Sequence, residues 1–352
     1  MTASHRSVVV VIATPLETEM VALIEAVDGR LDVRYQPDLL PPTRFACDHR
    51  GVESFSRNAG QEARWRAMLA DAEVLFGLPG DSPTGLADAV RAGAGLRWVQ
   101  ATAGGAGEQV AAAGLTDDEL SRVVITRTGG VHAGPLAEFA VFGLLAFTKA
   151  LPRLRADQAA RRWAHYPMAE LAGATVLIVG LGAIGNEVAR LAKAFGMRVI
   201  AINRSGRTDS PYVDEARPPR FLADLLPVAH GVVLTLPLTE ETRGMIDARA
   251  IARMRTGAVL VDVGRGGVVD EAALVQALQQ GRLAGAALDV FATEPLPADS
   301  ALWSLPNVLV SPHTAGLSAR ENERIMALFT ENLRRYLAGD ELISRVEPTL
   351  GY

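Results

Sequence analysis

One cysteine in 352 residues, Cys47, leaves this chain without an intramolecular disulfide framework. That fits a reducing compartment, and a small side chain with no chemistry of its own is the plainer reading of the thiol. Basic charge is also in short supply. The formal net charge is -5 and no long basic run offsets it, which argues against a nucleic-acid partner. The N-terminal apolar run, Val8-Val9-Val10-Val11-Ile12-Ala13, is too short for a membrane span, and no secretory cleavage pattern accompanies it. It reads as a buried strand. With no repeat, no low-complexity tract and no metal expected, a cytoplasmic location without a membrane partner is the default.

What is present is the profile of a globular protein, 49% hydrophobic and 21% charged. The length exceeds what one core usually serves, so two domains are expected.

The stretch that organises the chain is Val176-Leu177-Ile178-Val179 running into Gly180-Leu181-Gly182-Ala183-Ile184-Gly185 and an alanine-rich helical pattern. Gly180 permits a tight turn, Gly182 lets a pyrophosphate approach the backbone, and Gly185 lets helix pack on strand. The N–H groups and dipole of the new helix then face the phosphates. A second strand, Met197-Arg198-Val199-Ile200-Ala201-Ile202, completes the βαβ setting the motif needs.

Strand and helix signals alternate on both sides of this unit, the mark of α/β layers with largely parallel sheets. The expected fold is two Rossmann-like, doubly wound parallel-sheet domains. Residues 131–317 form a dinucleotide-binding Rossmann domain. Residues 1–130, completed by 318–352, form a discontinuous flavodoxin-like domain for substrate. A long apolar helix is expected from Gly134-Pro135 through about Leu151, with Pro135 in its first turn. A helix so apolar needs cover from another domain or subunit. The polar stretch 153–169 then returns the chain to the surface. The segment 37–60 reads as a long loop whose Arg44, Asp48, His49 and Arg50 either touch a substrate or form local ion pairs.

A cofactor-selecting residue is expected at the end of the second strand of the βαβ unit, where Asp or Glu would accept from a ribose diol. This chain has Asn203-Arg204-Ser205-Gly206-Arg207 instead. Two guanidiniums and a hydroxyl suit a 2′-phosphate, so Arg204, Ser205 and Arg207 point to NADP over NAD, with NAD still possible. The alternative is a pair of arginines merely exposed at a strand end.

Downstream, Arg265, Glu294 and His313 stand at predicted strand ends or in the loops after them. In a parallel sheet these loops gather at one edge, beside the nicotinamide end of a dinucleotide. A cation fixes an anionic substrate, a histidine moves a proton, and a carboxylate orients the histidine and favours imidazolium. Singly, each has a duller structural reading. In the N-terminal part, Gly104 and Gly105 either offer N–H groups to a substrate carboxylate or form a flexible turn.

Gly180 to Gly185, Asp262-Val263-Gly264-Arg265-Gly266, the stretch from Asp289 to Pro295 and the stretch from Ser311 to Gly316 resemble the signatures of the D-isomer-specific 2-hydroxyacid dehydrogenases, in the same order. The resemblance covers about 95–335. It implies two α/β domains with a cleft between them, usually a homodimer, and hydride transfer between NAD(P)H and a 2-keto acid. His313 would be the acid/base, Glu294 its partner, and Arg265 the ligand of the substrate carboxylate and carbonyl, with Gly104 and Gly105 donating N–H groups. Asp289 would contact the nicotinamide amide. Leu236, Pro237 and Thr242 would line the cofactor groove, with Ala183, Ile184, Val263, Gly264 and Gly316 also against the cofactor. The arginine turn matches members similar to NADP-preferring glyoxylate/hydroxypyruvate reductases.

Asp262 departs from the Asn or Ser more often found there, and the loop 102–107 is looser than usual. The end at Tyr352 leaves no expected room for the regulatory domain of many phosphoglycerate dehydrogenases. The expected activity is NADPH-favouring reduction of a 2-keto acid to a D-2-hydroxy acid. Rival readings are a non-catalytic dinucleotide sensor, similar to a corepressor of this fold, and a dehydrogenase for phosphite or formate.

Overall fold

The structure, a computed structural model, describes residues 7–346. The outer ends of the expected first domain, 1–6 and 347–352, lie outside the described residues. Two compact units divide the chain: residues up to His132 together with those from Leu317 onward, and Ala133–Gly316.

The first unit holds β1 (Val8–Ile12), β2 (Leu31–Arg34), β3 (Val74–Phe76), β4 (Trp98–Gln100) and β5 (Val124–Thr126). They pair in parallel in the order β2-β1-β3-β4-β5, the flavodoxin-like winding. The run of valines in β1 is buried on both faces, as a covered parallel sheet requires. One face packs under the helix Glu321–Ala338, whose Ile325, Met326, Phe329 and Leu333 form its apolar stripe. The Phe329 ring sits 4.8 Å from that of Phe76 and 5.1 Å from that of Trp98. Left-handed Gly339 ends the helix.

The second unit holds β6 (Thr175–Val179), β7 (Arg198–Ile202), β8 (Glu215–Arg217), β9 (Gly231–Leu234), β10 (Val259–Asp262), β11 (Gly285–Leu288) and β12 (Val308–Val310). Their order is β12-β11-β10-β9-β6-β7-β8, again all parallel. Strand order reverses between β6 and β9, where open α/β sheets bind ligands beyond the strands' carboxyl ends. Alternate residues feed two cores. Val176, Ile178, Val233 and Val261 meet the helices Ala133–Thr148 and Ala183–Ala194, whereas Leu177, Val179, Leu234 and Leu260 meet Leu274 and Leu278 of the helix Glu271–Gln279.

The apolar helix is shorter than its composition suggests. It runs over Ala133–Thr148, breaks at left-handed Ala150, and a second helix, Leu151–Ala159, leaves at 60° with Pro152 in its first turn. The stretch 153–169 is therefore helical at its start. Among the described residues no single helix is long and apolar enough to cross a membrane. The apolar helix buries Ala137, Ala140, Leu144 and Phe147 in its own unit, while Phe142 stays 49% exposed.

Candidate active site

At the end of β6, each glycine meets a distinct demand. Gly180 has φ +105°, and a Cβ there would lie 2.8 Å from Thr235 Oγ1, which itself donates to the Gly180 carbonyl at 2.7 Å. A Cβ on Gly185 would lie 2.1 Å from that same carbonyl, so the first helical turn rests directly on the strand end. Gly182 differs: it is the N-cap of the helix Ala183–Ala194, no side chain caps it, and nothing lies within 4 Å of where its Cβ would be. The turn thus presents first-turn N–H groups beside open space, the arrangement that receives a pyrophosphate. Ala183 is exposed there and Ile184 half-buried.

The turn after β7 is built by Asn203. Its Oδ1 accepts the Gly206 N–H at 2.7 Å and its Nδ2 donates to the Arg207 carbonyl at 2.7 Å. Gly206, at φ +67°, lets the chain pass against Pro218. Arg204, Ser205 and Arg207 project from this frame, all exposed. The Ser205 hydroxyl is engaged locally, with the Arg207 carbonyl at 3.2 Å. Leu236 and Pro237 follow β9. The Thr242 hydroxyl donates to the Pro237 carbonyl at 2.7 Å, closing the loop 237–242.

The acid/base candidates stand beyond β10, β11 and β12. His313 Nδ1 lies 2.7 Å from Glu294 Oε2, and the other oxygen, Oε1, accepts the Phe291 N–H at 3.0 Å. Both side chains are partly exposed, so the ring's second nitrogen faces outward from the carboxylate. The loop carrying His313 is fastened by Asp289, whose Oδ1 accepts the Ser311 hydroxyl at 2.6 Å and the N–H groups of Thr314 and Ala315 at 2.9 Å each. His313 itself takes φ +53°, a left-handed conformation held by N–H bonds to the Asp289 and Ser311 carbonyls. Gly316 closes this loop, half-buried.

Arg265 is half-buried on the turn after β10, with Nη1 donating to the Gly264 carbonyl at 2.9 Å. Val263 is buried before it. The turn is wedged between its neighbours: a Cβ on Gly264 would lie 2.6 Å from the Leu236 carbonyl oxygen, and one on Gly266 would lie 2.0 Å from the Phe291 carbonyl carbon. Phe291 is also the residue that bonds Glu294, so the arginine turn and the Glu294–His313 pair share one packed support.

Asp262, at the β10 end, is 1% exposed and accepts the Gly264 N–H at 2.9 Å. Burial, with the charges of Asp289 and Glu271 adding to it, outweighs the Gly264 N–H and Arg265 and pushes its carboxyl up to about 8. The residue that departs from the family pattern is thus a buried acid with a raised pKa.

In the first unit, Gly104 and Gly105 sit between β4 and the helix Ala106–Ala112. The Gly104 carbonyl accepts from Arg127 Nη1 at 3.3 Å, and a Cβ on Gly104 would lie 3.4 Å from His132 Nδ1. His132 Nε2 is 3.0 Å from Oε1 of buried Glu321. Sequence reasoning passed over this second histidine–carboxylate pair because its members lie 189 positions apart. In the loop 37–60, the local reading holds for Arg44, which pairs with Asp48 at 2.8 Å, and for Arg50, which reaches Glu53 at 3.3 Å. His49 turns inward, where Thr14 Oγ1 lies 3.3 Å from its Nδ1. Burial lowers the pKa of that ring below its usual value.

A dinucleotide turn on a doubly wound sheet, with a histidine–carboxylate pair at the same sheet's carboxyl edge, defines a nicotinamide-dependent dehydrogenase. Comparison with known proteins names the group. Residues 141–315 match the family model of the D-isomer specific 2-hydroxyacid dehydrogenase, NAD binding domain. The chain is 37% identical over 225 residues to the (S)-sulfolactate dehydrogenase of Chromohalobacter salexigens, covering 62% of this chain and 71% of that one. It is 39% identical over 232 residues to the glyoxylate reductase of Korarchaeum cryptofilum, covering 62% and 67%. The D-3-phosphoglycerate dehydrogenase of Mycobacterium tuberculosis is 37% identical, but the chain spans only 48% of its length. Among solved structures, a D-isomer specific 2-hydroxyacid dehydrogenase from Xanthobacter autotrophicus Py2 in complex with NADPH and MES superposes with a TM-score of 0.76 at 29% identity, covering 98% of this chain and 100% of that one. The chain belongs to the D-isomer-specific 2-hydroxyacid dehydrogenase family and is an oxidoreductase.

Proposed function

We propose that this protein is an NADPH-favouring reductase that converts a small 2-keto acid, of the glyoxylate or hydroxypyruvate kind, to its D-2-hydroxy acid. The observation that carries the reading is the 2.7 Å contact between His313 and Glu294. A histidine whose Nδ1 is tied to a carboxylate keeps Nε2 for the reacting oxygen. The nicotinamide, when bound, supplies the hydride.

His313 gives its proton to the substrate oxygen as that oxygen gains charge, and Glu294 holds the ring in place through Nδ1. Arg265 holds the substrate carboxylate and polarises its carbonyl. Gly104 and Gly105, in the unit assigned here to substrate, add backbone N–H donors. Asp289 fastens the His313 loop. The open Gly182 turn takes the pyrophosphate, with Ala183, Ile184, Gly264 and Gly316 around the dinucleotide. Arg204 and Arg207 take the 2′-phosphate, a reading supported by the NADPH complex of the Xanthobacter relative. The exposed Phe142 on a helix whose other apolar residues are buried or half-buried supports a homodimer through that face. A cytoplasmic location fits a single free thiol.

The test is NADPH oxidation with glyoxylate, hydroxypyruvate and bulkier keto acids, run on the wild type and on His313→Ala. Loss of most turnover in the variant, with NADPH binding retained, is the expected result. Unchanged kcat in the variant would remove the assignment.

A further inference from the structure

The second histidine–carboxylate pair stands in the first unit, beside the glycine loop 104–105. Glu321 begins the helix Glu321–Ala338 and is 2% exposed. A buried carboxyl group costs free energy unless it is bonded. Its Oε2 has no partner, so its one side-chain bond among the described residues is the 3.0 Å contact of Oε1 with His132 Nε2. That contact sets the ring in one orientation. The backbone before the ring is held as well, because Arg324 Nε donates to the Val131 carbonyl at 3.0 Å. The other ring nitrogen, Nδ1, has no hydrogen-bond partner among the described residues, and the side chain is 17% exposed. It borders Gly104, where a Cβ would lie 3.4 Å from Nδ1. Glycine at this position leaves a methyl-sized space next to an unused ring nitrogen. The Gly104 carbonyl is itself held by Arg127 Nη1 at 3.3 Å, so loop and ring are both fixed.

We propose that His132 is a specificity-determining residue: its Nδ1 pairs with a hydroxyl group on C3 of the keto acid, and Glu321 is the positioning residue that holds the ring for it. The inference rests on the reading that Gly104 and Gly105 take the substrate carboxylate. C3 of a 2-keto acid is two bonds from the carboxyl carbon, so a substituent there stays close to whatever holds the carboxylate. The pairing does not depend on the tautomer. With the shared proton on Nε2, Nδ1 accepts; with that proton on Glu321, Nδ1–H donates. A hydroxyl group does both, and a methyl group does neither. An alkyl substituent in that place takes water away from Nδ1 and returns nothing, so the acid that carries it is disfavoured. The substrate class selected is 2-keto acids hydroxylated at C3, over their alkyl isosteres.

The experiment measures kcat/KM of the full chain with NADPH for hydroxypyruvate and for 2-oxobutyrate, which has a methyl group where hydroxypyruvate has its hydroxyl. In the wild type the ratio of the two is expected to be about tenfold or more, the value of a hydrogen bond whose partner is otherwise left unpaired. His132→Gln keeps an amide donor for Glu321 and places no polar atom at Nδ1, so the ratio should fall about tenfold. His132→Asn, whose amide stands nearer the Nδ1 position, should recover part of it. A role confined to holding the fold gives the opposite order, since asparagine gives up the Glu321 contact. Glyoxylate, which has no C3, reports any loss common to all substrates. A ratio in His132→Gln within about twofold of the wild type would overturn the proposal. Should the variants not fold, the wild type decides: a ratio below about threefold would overturn it. That result removes this inference alone, whereas a wild type that reduces none of the three acids removes the proposed function and this inference with it.

Discussion

Glu294 grips His313 and the Phe291 backbone with different oxygens: Oε2 lies 2.7 Å from the imidazole Nδ1, and Oε1 accepts the Phe291 N–H at 3.0 Å. The carboxylate is thus fixed from one side while it fixes the ring on the other. Phe291 in turn presses on Gly266 of the arginine turn. The placement of His313 and of the Arg265 turn is a shared property of this support.

Replacing Glu294 by Gln keeps the shape and removes the charge. The amide no longer holds the imidazole through a charged contact, so proton delivery by His313 suffers. We expect kcat at pH 7.5 to fall by about 100-fold, with the KM for the keto acid changing far less. Steady-state kinetics in the reductive direction check both statements. An unchanged kcat would show that the contact does not position the histidine.

Removing the arginines of the turn after β7 separates cofactor choice from cofactor binding. In Arg204→Ser combined with Arg207→Ser, the KM for NADPH should rise about 10- to 100-fold, the value of charge-assisted bonds to a phosphate. The KM for NADH should move by less than about threefold. Equal losses for both cofactors would mean that the turn serves the fold and not the 2′-phosphate.

The glycine turn and the alternating strands were legible in the sequence because their demands are local. Gly180 at φ +105° and Gly185 under a strand carbonyl admit almost no other residue, and the β-branched runs of β6 and β9 have no other place than a covered parallel sheet. Three kinds of feature were not legible. The edge strand β8, Glu-Ala-Arg, carries no apolar pattern because one side of it pairs with β7 alone. The break at Ala150 hides within a continuous apolar composition. His49 and the His132–Glu321 pair depend on contacts between distant segments, which no spacing rule reports. The raised pKa of Asp262 belongs to the same group, since it arises first from burial and then from Asp289 just beyond the neighbouring strand.

Buried His49 makes the first unit sensitive to acid. Its folded-state pKa is lowered by burial from 6.5, so the unfolded chain takes the proton first. Stability is complete above about 6.5 and is lost as pH falls below it, at about 1.4 kcal/mol per pH unit until the folded ring protonates. His49→Gln should flatten that loss. Hydrogen exchange of the β1 amides, which pair with β2 and β3, reports on this unit alone. Identical pH slopes in the two proteins would exclude His49 as the source.

The last pair of variants turns on the difference between two glycines of one motif. A Cβ at Gly185 would sit 2.1 Å from the Gly180 carbonyl oxygen, so Gly185→Ala must push the helix Ala183–Ala194 off β6. Such overpacking costs about 1–3 kcal/mol, and thermal denaturation of the apoprotein should show a lowered midpoint. Gly182 has extended backbone, at φ -86° and ψ -158°, with open space where a Cβ would go. Gly182→Ala should therefore leave the apoprotein's melting midpoint within about 1 °C of the wild type while weakening NADPH binding at least 10-fold, because the methyl group occupies the pyrophosphate's approach. Calorimetric titration with NADPH measures the second effect independently of turnover. Full NADPH affinity in Gly182→Ala would mean that the phosphates do not meet the helix at this turn.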